Sequence, residues 1–265
     1  MNAGLQLPGL MVLLINLPRS AERRVLMEQR LRQIGLAYEM FPAVDGKQHW
    51  GQLQASVDFP AFERHVGRDV LPGEAGCYHS HLQAWERFLA SDCQFLLVLE
   101  DDMVFHDDFG DALRFALRGR AHWDILKLAK IRAKQPVCQG KLGPYRLNAY
   151  LGAATGFGAY LLQREVAQRL LPTLLPIKAP IDREVEQVHR HDLRHFGLEP
   201  FPSHPQDEGQ STITGEHFGE VKRYPLSRRW TKYAEQASNF FRRILYLWRH
   251  GRLFARVESL PLEEI

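Results

Sequence analysis

Short apolar runs alternate along this chain with longer segments whose apolar positions recur every three or four residues, which predicts strands interleaved with helices. Met11–Asn16 predicts a first strand. Ala21–Ile34 predicts a helix with Val25, Leu26, Leu31 and Ile34 on one face and Ser20 as N-cap. Tyr38–Phe41 predicts a second strand, closed by the turn Ala43-Val44-Asp45-Gly46. Lys47 to Val70 is irregular, with short helical pieces, and Leu71-Pro72-Gly73-Glu74 introduces a helix over Ala75–Ala90. Phe95–Leu99 predicts a buried strand, Phe109–Leu117 a helix and Trp123–Leu128 another strand. A polar connection leads to extended segments at Leu147–Gly152 and Thr155–Leu162, whose glycines permit close backbone approach. Helices follow at Arg164–Leu171, stopped by Pro172, and at Ile181–Phe196, before an extended Glu199–Ser203. The result is an α/β domain over residues 1–224 and a basic, aromatic-rich helical segment over 225–265.

Composition adds limits. A length of 265 residues with 45% hydrophobic and 25% charged residues is that of a globular protein with a full core. No window holds the ~18 uninterrupted apolar residues of a spanning helix. Leu5–Leu17 has no preceding basic residue and no small-residue cleavage site, and Pro18-Arg19-Ser20 closes it, so it reads as the first strand rather than a signal peptide. Cys77, Cys93 and Cys138 are too few and scattered for a disulfide framework and lack paired metal spacing, which fits a reducing cytoplasm. The net charge of +3 hides an asymmetry, because basic residues crowd the last fifth of the chain.

The chemistry concentrates where Phe95–Leu99 runs into Glu100-Asp101-Asp102. Ligands of open α/β sheets bind beyond the carboxyl ends of the strands, so three acids there predict a divalent cation carrying a diphosphate. The plain alternative is a solvated acidic turn or a helix-capping group.

The chain resembles the glycosyltransferase family 25 enzymes, a group of lipooligosaccharide and lipopolysaccharide galactosyltransferase-like proteins with collagen-modifying relatives. The resemblance rests on ordered blocks from about residue 11 to 213: Ile15-Asn16-Leu17 with Arg19, Ser20 and Arg23; Phe41 with Ala43–Gly46; Leu71 with Gly73–Cys77; Ser80-His81 and Trp85; Leu99–Asp102; then Gly156, Tyr160, Asp182 and Gln206 with Ser211–Ile213. It implies a GT-A-like, Rossmann-related mixed sheet flanked by helices, followed by the basic amphipathic C-terminal helix. It also implies a hexosyltransferase, a β-galactosyltransferase using UDP-galactose with inversion, assisted by Mn²⁺ ahead of Mg²⁺, on a glycan or glycolipid acceptor.

Carried over residue by residue, Asp102 and Glu100 become the metal ligands of a DxD-like motif, with Glu where a strict motif has Asp. Asp101 then faces the ribose or sugar, and Asn16, Arg19 and Arg23 fall where base, ribose and phosphate lie. For Arg23 the alternative is a solvated surface arginine beside Glu22 and Glu28. Asp45 and Gly46 shape the uridine pocket, or form a simple turn. Glu74, Ser80 and His81 belong to the donor-side block, with a buried, hydrogen-bonded histidine as the alternative for His81. Lys127 balances diphosphate charge, or snorkels to water. Gln206 completes the donor site from a late loop, with Asp207 beside it. Asp182 is the candidate general base, or a helix N-terminal acid, with Glu184 and Glu186 behind it. Trp50 and Phe59 are candidates for stacking on an acceptor sugar, and Cys77 is expected to pack rather than react.

From Arg223 to Arg256 arginines interleave with Trp230, Tyr233, Phe240, Phe241, Leu245, Trp248 and Phe254. This predicts either an anionic membrane surface as partner or a helix packed on the domain. Nucleic acid is not expected, since no nucleic-acid fold accompanies the basic run. The expected location is cytoplasmic, peripheral on the inner face of the cytoplasmic membrane. A catalytically silent GT-A-like nucleotide-binding or scaffold protein, attached by its basic tail, is the competing reading. Nucleotidyl transfer ranks below both, for want of a Gly-rich phosphate loop.

Overall fold

A computed structural model of the chain describes residues 5–206 and 224–264. Asp207 and Ser211–Ile213 lie outside the described residues. The first half runs β1 (Leu10–Asn16), α1 (Ala21–Gln33), β2 (Glu39–Pro42), α2 (Trp50–Leu53), α3 (Phe59–Val66), α4 (Pro72–Leu89), β3 (Phe95–Glu100), β4 (Met103–Phe105) and α5 (Phe109–Arg118). The second half runs β5 (Ile125–Lys127), β6 (Pro136–Leu142), β7 (Tyr145–Tyr150), β8 (Ala159–Gln163), α6 (Arg164–Leu170), α7 (Ile181–Val185), α8 (Val188–His191), β9 (His195–Glu199), β10 (Ser203–Pro205), α9 (Leu226–Arg249) and β11 (Arg256–Ser259).

Nine strands form one mixed sheet in the order β11-β6-β7-β9-β5-β8-β3-β1-β2, and β10 pairs with β4 apart from it. β1 is parallel to both β2 and β3, as the opening strand-helix-strand pattern requires. Its Val12–Asn16 and the Leu96–Leu99 run of β3 are buried, the continuous apolar run of a strand covered on both faces. β8 runs antiparallel to β3, pairing Ala159 with Leu99, so the loop entering β8 lies at the carboxyl end of β3. β5 pairs antiparallel with β8 and parallel with β9, which brings Lys127 opposite Tyr160 toward the same sheet edge. This mixed sheet flanked by helices is the fold class expected from the sequence.

Several local expectations need correction. Ser20 makes no side-chain cap. Its carbonyl instead accepts the Asn16 amide at 3.2 Å. The inward face of α1 is Met27 and Leu31, while Val25 is 49% exposed, so the apolar spacing chosen for that helix points partly to water. The predicted helix over Ile181–Phe196 is two short helices and a strand, because Asp192 adopts a left-handed φ of 48° that ends α8 before β9 begins. The polar connection before Leu147 contains β6, which pairs with β7.

The C-terminal segment is a helix, as expected, followed by β11 at the edge of the main sheet. α9 packs against α3 and α8. Arg243 reaches from it to donate to the Gly152 carbonyl, and to the Glu186 carbonyl at 3.1 Å. No helix among the described residues is long and apolar enough to cross a membrane.

Candidate active site

The parallel register of β1 and β3 sets Ile15 beside Glu100, so the residues just beyond, Asn16 and Asp101, meet at the sheet edge. The Asn16 amide donates to Asp101 Oδ2 at 2.7 Å, and Arg23 from α1 donates to Oδ1 at 3.3 Å. Burial raises the Asp101 pKa more strongly than these two partners lower it. Asp101 is thus held on its inner side by the first strand and helix.

Asp102 differs. Its Oδ1 is buried and meets no hydrogen-bond partner among the described residues. Burial first, then the neighbouring Glu100 and Asp101 charges, push its pKa up to about 7, against the pull of Arg23. An unpartnered buried carboxylate oxygen that feels two neighbouring acids is costly unless a cation joins it. Oxygen donors of this kind suit Mg²⁺ or Mn²⁺, so the residues present fit a divalent metal. The backbone around it is fixed: the Asp102 carbonyl accepts the Gln206 amide at 2.7 Å. Arg30 donates to the Met103 carbonyl at 2.7 Å and to Gln206 Oε1 at 2.6 Å.

Glu100 is partly exposed and anchored from below. The His81 ring meets its Oε1 at 3.2 Å through Nε2, and meets the Tyr160 hydroxyl at 2.9 Å through Nδ1. Trp85 Nε1 donates to that same hydroxyl at 2.8 Å. An ionised Glu100 only accepts, so Nε2 carries the proton and the Tyr160 hydroxyl donates to Nδ1. His81 is 1% exposed and stands under the acid rather than in the open cleft. Cys77 shares this group, with Cys77, His81 and Glu100 ligand atoms all within 4.8 Å of one another. Burial and the Glu100 charge hold the Cys77 thiol well above its usual pKa, so in the metal-free protein it is a protonated, packed side chain.

The Ala43–Gly46 and Gly73–Ser80 blocks interlock. A Cβ on Gly46 would lie 1.8 Å from the Pro72 carbonyl oxygen, and one on Gly76 would lie 2.5 Å from the Gly46 nitrogen. Ser80 Oγ accepts the Val44 amide at 2.8 Å and donates to the Gly76 carbonyl at 2.8 Å. Glu74 accepts both Arg68 guanidinium nitrogens, at 2.5 and 2.7 Å, and the Leu71 amide at 3.1 Å. Ser80 and Glu74 therefore fix the turn and the start of α4. Asp45 pairs with Arg19, and both line a cleft of about 700 Å³ with Pro42, His49, Gln52 and Gln83. This cleft opens beyond the carboxyl ends of β1 and β2. Trp50 and Phe59 stack edge to face at 6.4 Å.

The loop between β7 and β8 is pinned at alternate residues by charged side chains from three elements. Arg243 takes the Gly152 carbonyl, Lys127 takes the Ala154 carbonyl, and Asp182 Oδ2 accepts the Gly156 amide at 3.0 Å. Gly156 has φ +97°, which a side chain would oppose. The Gly158 carbonyl accepts the Glu100 amide at 2.7 Å, and Phe157 stacks on Tyr160 at 3.6 Å, so the loop forms a wall of the acidic site. Lys127 is fully enclosed, so it does not snorkel, and burial lowers its pKa against the pull of Glu186 and Asp182. Asp182 is half-buried, and its Oδ1 also accepts the Arg183 amide at 2.8 Å. Replacing Lys127 with Met is expected to destabilise the protein by about 2–4 kcal/mol, because the Ala154 carbonyl loses its buried donor and Glu186 loses a nearby positive charge. Urea unfolding measures this, and an unchanged midpoint contradicts it.

Asn16, Arg23, Glu100, Asp101, Asp102, His81 and Gln206 are thus brought together, with Arg19 and Asp45 in the adjoining cleft. Lys127 and Asp182 meet at the loop, and Glu74 is engaged away from the acids by Arg68. Arg30, Tyr160, Glu186 and Arg243 complete these contacts; Tyr160 belongs to the resemblance, Glu186 is a secondary base candidate of the sequence, Arg243 figures there only as part of the basic C-terminal run, and Arg30 carries no sequence signal.

The family model of glycosyltransferase family 25 (LPS biosynthesis protein) matches residues 10–185. A glycosyltransferase 25 family member of Drosophila melanogaster is 35% identical over 131 residues, covering 47% of this chain and 21% of the fly protein. Procollagen galactosyltransferase 1 of Danio rerio is 28% identical over 220 residues, 73% of this chain and 36% of the fish protein. A probable inactive glycosyltransferase 25 family member 3 of Rattus norvegicus is 27% identical over 225 residues, 73% of this chain and 38% of the rat protein. The matches therefore span about a fifth to two fifths of these relatives' length. The crystal structure of mannose-1-phosphate geranyltransferase from Thermus thermophilus overlays with a TM-score of 0.38 at 14% identity, covering 76% of each chain, too distant to bear on function. The match over residues 10–185 spans the acidic strand end, the interlocked glycine turns and the pinned loop, and the chain belongs to glycosyltransferase family 25.

Proposed function

We propose that this chain transfers a hexose, galactose from UDP-galactose, to a lipooligosaccharide- or lipopolysaccharide-type glycan with inversion, working peripherally on the inner face of the cytoplasmic membrane. The observation that carries the proposal is the buried, unpartnered Asp102 carboxylate oxygen in an acidic cluster at the carboxyl end of β3. Asp102 and Glu100 would hold the divalent metal, Mn²⁺ ahead of Mg²⁺. When bound, that ion supplies Lewis-acid stabilisation of the charge on the departing diphosphate.

The remaining roles belong to the chain itself. The cleft lined by Arg19 and Asp45 takes the nucleotide base and ribose. Asn16 and Arg23 hold Asp101 toward the donor. His81, braced by Tyr160 and Trp85, fixes Glu100. Asp182 receives the acceptor hydroxyl proton as the new carbon–oxygen bond forms at the anomeric carbon and the bond to the diphosphate oxygen breaks. Its two backbone contacts leave further lone pairs for that proton while fixing the carboxylate's direction.

Assay of a sugar-nucleotide panel with a truncated lipooligosaccharide acceptor tests this. Transfer from UDP-galactose in the presence of Mn²⁺, with β linkage in the product, is expected. Transfer from another donor alone would displace the galactose assignment. The silent-scaffold reading draws support from the rat relative, which carries the word inactive in its own name. It predicts donor binding without turnover.

A further inference from the structure

We propose that the outward face of α9 is a docking surface for an anionic lipid headgroup layer. The lipid-carried acceptor of the preceding reading gives this surface a purpose, but its geometry stands without that reading. Leu226, Trp230, Tyr233, Phe241, Leu245 and Trp248 recur at steps of three, four and eight residues, which places them on one helix face. They are 68%, 66%, 47%, 67%, 43% and 61% exposed. At a rise of ~1.5 Å per residue, the stripe is about 33 Å long. The opposite face, with buried Tyr246 and Leu247, is already occupied by the body of the protein through α3 and α8. An exposed stripe of four aromatics and two leucines of this length on the outer side of a packed helix calls for a partner.

Charge selects the partner. α9 carries six cations against a single acid of its own, Glu235, which turns toward His65 at 3.1 Å; of the six, Arg228 pairs with Glu63 at 2.6 Å and Arg243 is turned inward to Glu186. Arg242 and Arg249 are exposed, and helical spacing sets both on one flank of the stripe. Arg256 of β11 adds an exposed cation beyond the helix end. Tryptophan and phenylalanine flanked by arginine suit the boundary between anionic headgroups and acyl chains, where a helix lies in the plane of the surface. A second copy of this chain would bring the same arginines face to face, and that repulsion weighs against self-association as the occupant.

The test uses the full chain, because Arg243 and β11 tie the segment into the fold and a truncation would disturb both. Co-sedimentation is measured with vesicles of phosphatidylcholine alone and of phosphatidylcholine mixed with phosphatidylglycerol. Wild type is expected to bind the mixed vesicles, more weakly as salt rises. The variant Trp230→Ser/Phe241→Ser/Trp248→Ser is expected to bind them more than about tenfold less tightly. Arg242→Gln/Arg249→Gln is expected to weaken binding and flatten its salt dependence. Both variants change exposed side chains, so an unchanged thermal midpoint shows that they fold. Vesicle binding that survives the aromatic replacements, or equal binding to both vesicle types, overturns the proposal. So does absence of vesicle binding together with a dimer that the aromatic replacements dissolve. Calorimetric binding of sugar nucleotide to the same preparations reports on the donor site separately, so failure of one reading is not failure of the other.

Discussion

Asp102→Asn is expected to lower metal-dependent turnover by about a thousandfold or more, the scale of losing a principal electrostatic stabiliser of the leaving group. The substitution keeps the shape of the side chain and removes its charge. The same variant is expected to have the opposite effect on the stability of the metal-free protein. The folded-state pKa of Asp102, about 7, lies above its unfolded value, so the folded state binds the extra proton between those two limits. Stability from this group is therefore fully present below about pH 4 and is lost as pH rises through about 7, a difference of order 4 kcal/mol. Metal-free wild type should melt at a lower temperature at pH 8 than at pH 6. Asn at this position should reduce that difference, and Mn²⁺ should raise the melting temperature of wild type more at pH 8 than at pH 6. A variant with wild-type turnover, or a wild type insensitive to both pH and metal, contradicts the role given to Asp102.

Asp182→Asn is expected to preserve donor binding and to lower transfer by about a hundred- to ten-thousandfold, the range ascribed to a positioned general base. The amide oxygen can still accept the Gly156 amide, so the loop beside Glu100 keeps its third anchor. The amide nitrogen, however, meets the Arg183 N–H in place of a carboxylate oxygen and cannot take a proton from an acceptor hydroxyl. A small loss of stability, about 1 kcal/mol, is expected from that mismatch. Steady-state assays with varied donor separate the effects, because a fault in loop position would raise the donor KM, whereas loss of the base lowers kcat. Full activity in this variant would reassign the base, and donor binding without turnover in the wild type would favour the silent-scaffold reading.

The parts of the fold that were legible are those where burial imposes a repeating pattern. β1 and β3 are continuous apolar runs because helices cover both faces, and the contiguous acids after β3 stand out for the same reason. β6 carries the partly exposed Gln139 and Lys141 around a buried Gly140 near the sheet edge, so this buried position has no apolar side chain to mark it in the sequence. β9 is a five-residue strand directly after two short helices, and the break rests on the backbone angle of Asp192, which no spacing announces. The site divides in the same way. The acidic cluster is contiguous, so it was visible. The contacts of Arg30, Arg68, Lys127 and Arg243 come from long side chains acting mainly on backbone carbonyls or on a distant carboxylate, and such contacts leave no motif. Lys127 shows the consequence: beside Trp123-Asp124 it resembles a strand-end cation available to a phosphate, but its ammonium is spent on the Ala154 carbonyl inside the protein.

The central claim is that Asp102 and its neighbours hold a metal on which a nucleotide sugar depends. Calorimetric titration of wild type and Asp102→Ala with UDP-galactose, with Mn²⁺ and with chelator, tests it most directly. Binding by wild type only with Mn²⁺, and no binding by Asp102→Ala under either condition, is the predicted result. Equal binding with chelator, or unchanged binding by Asp102→Ala, would contradict it.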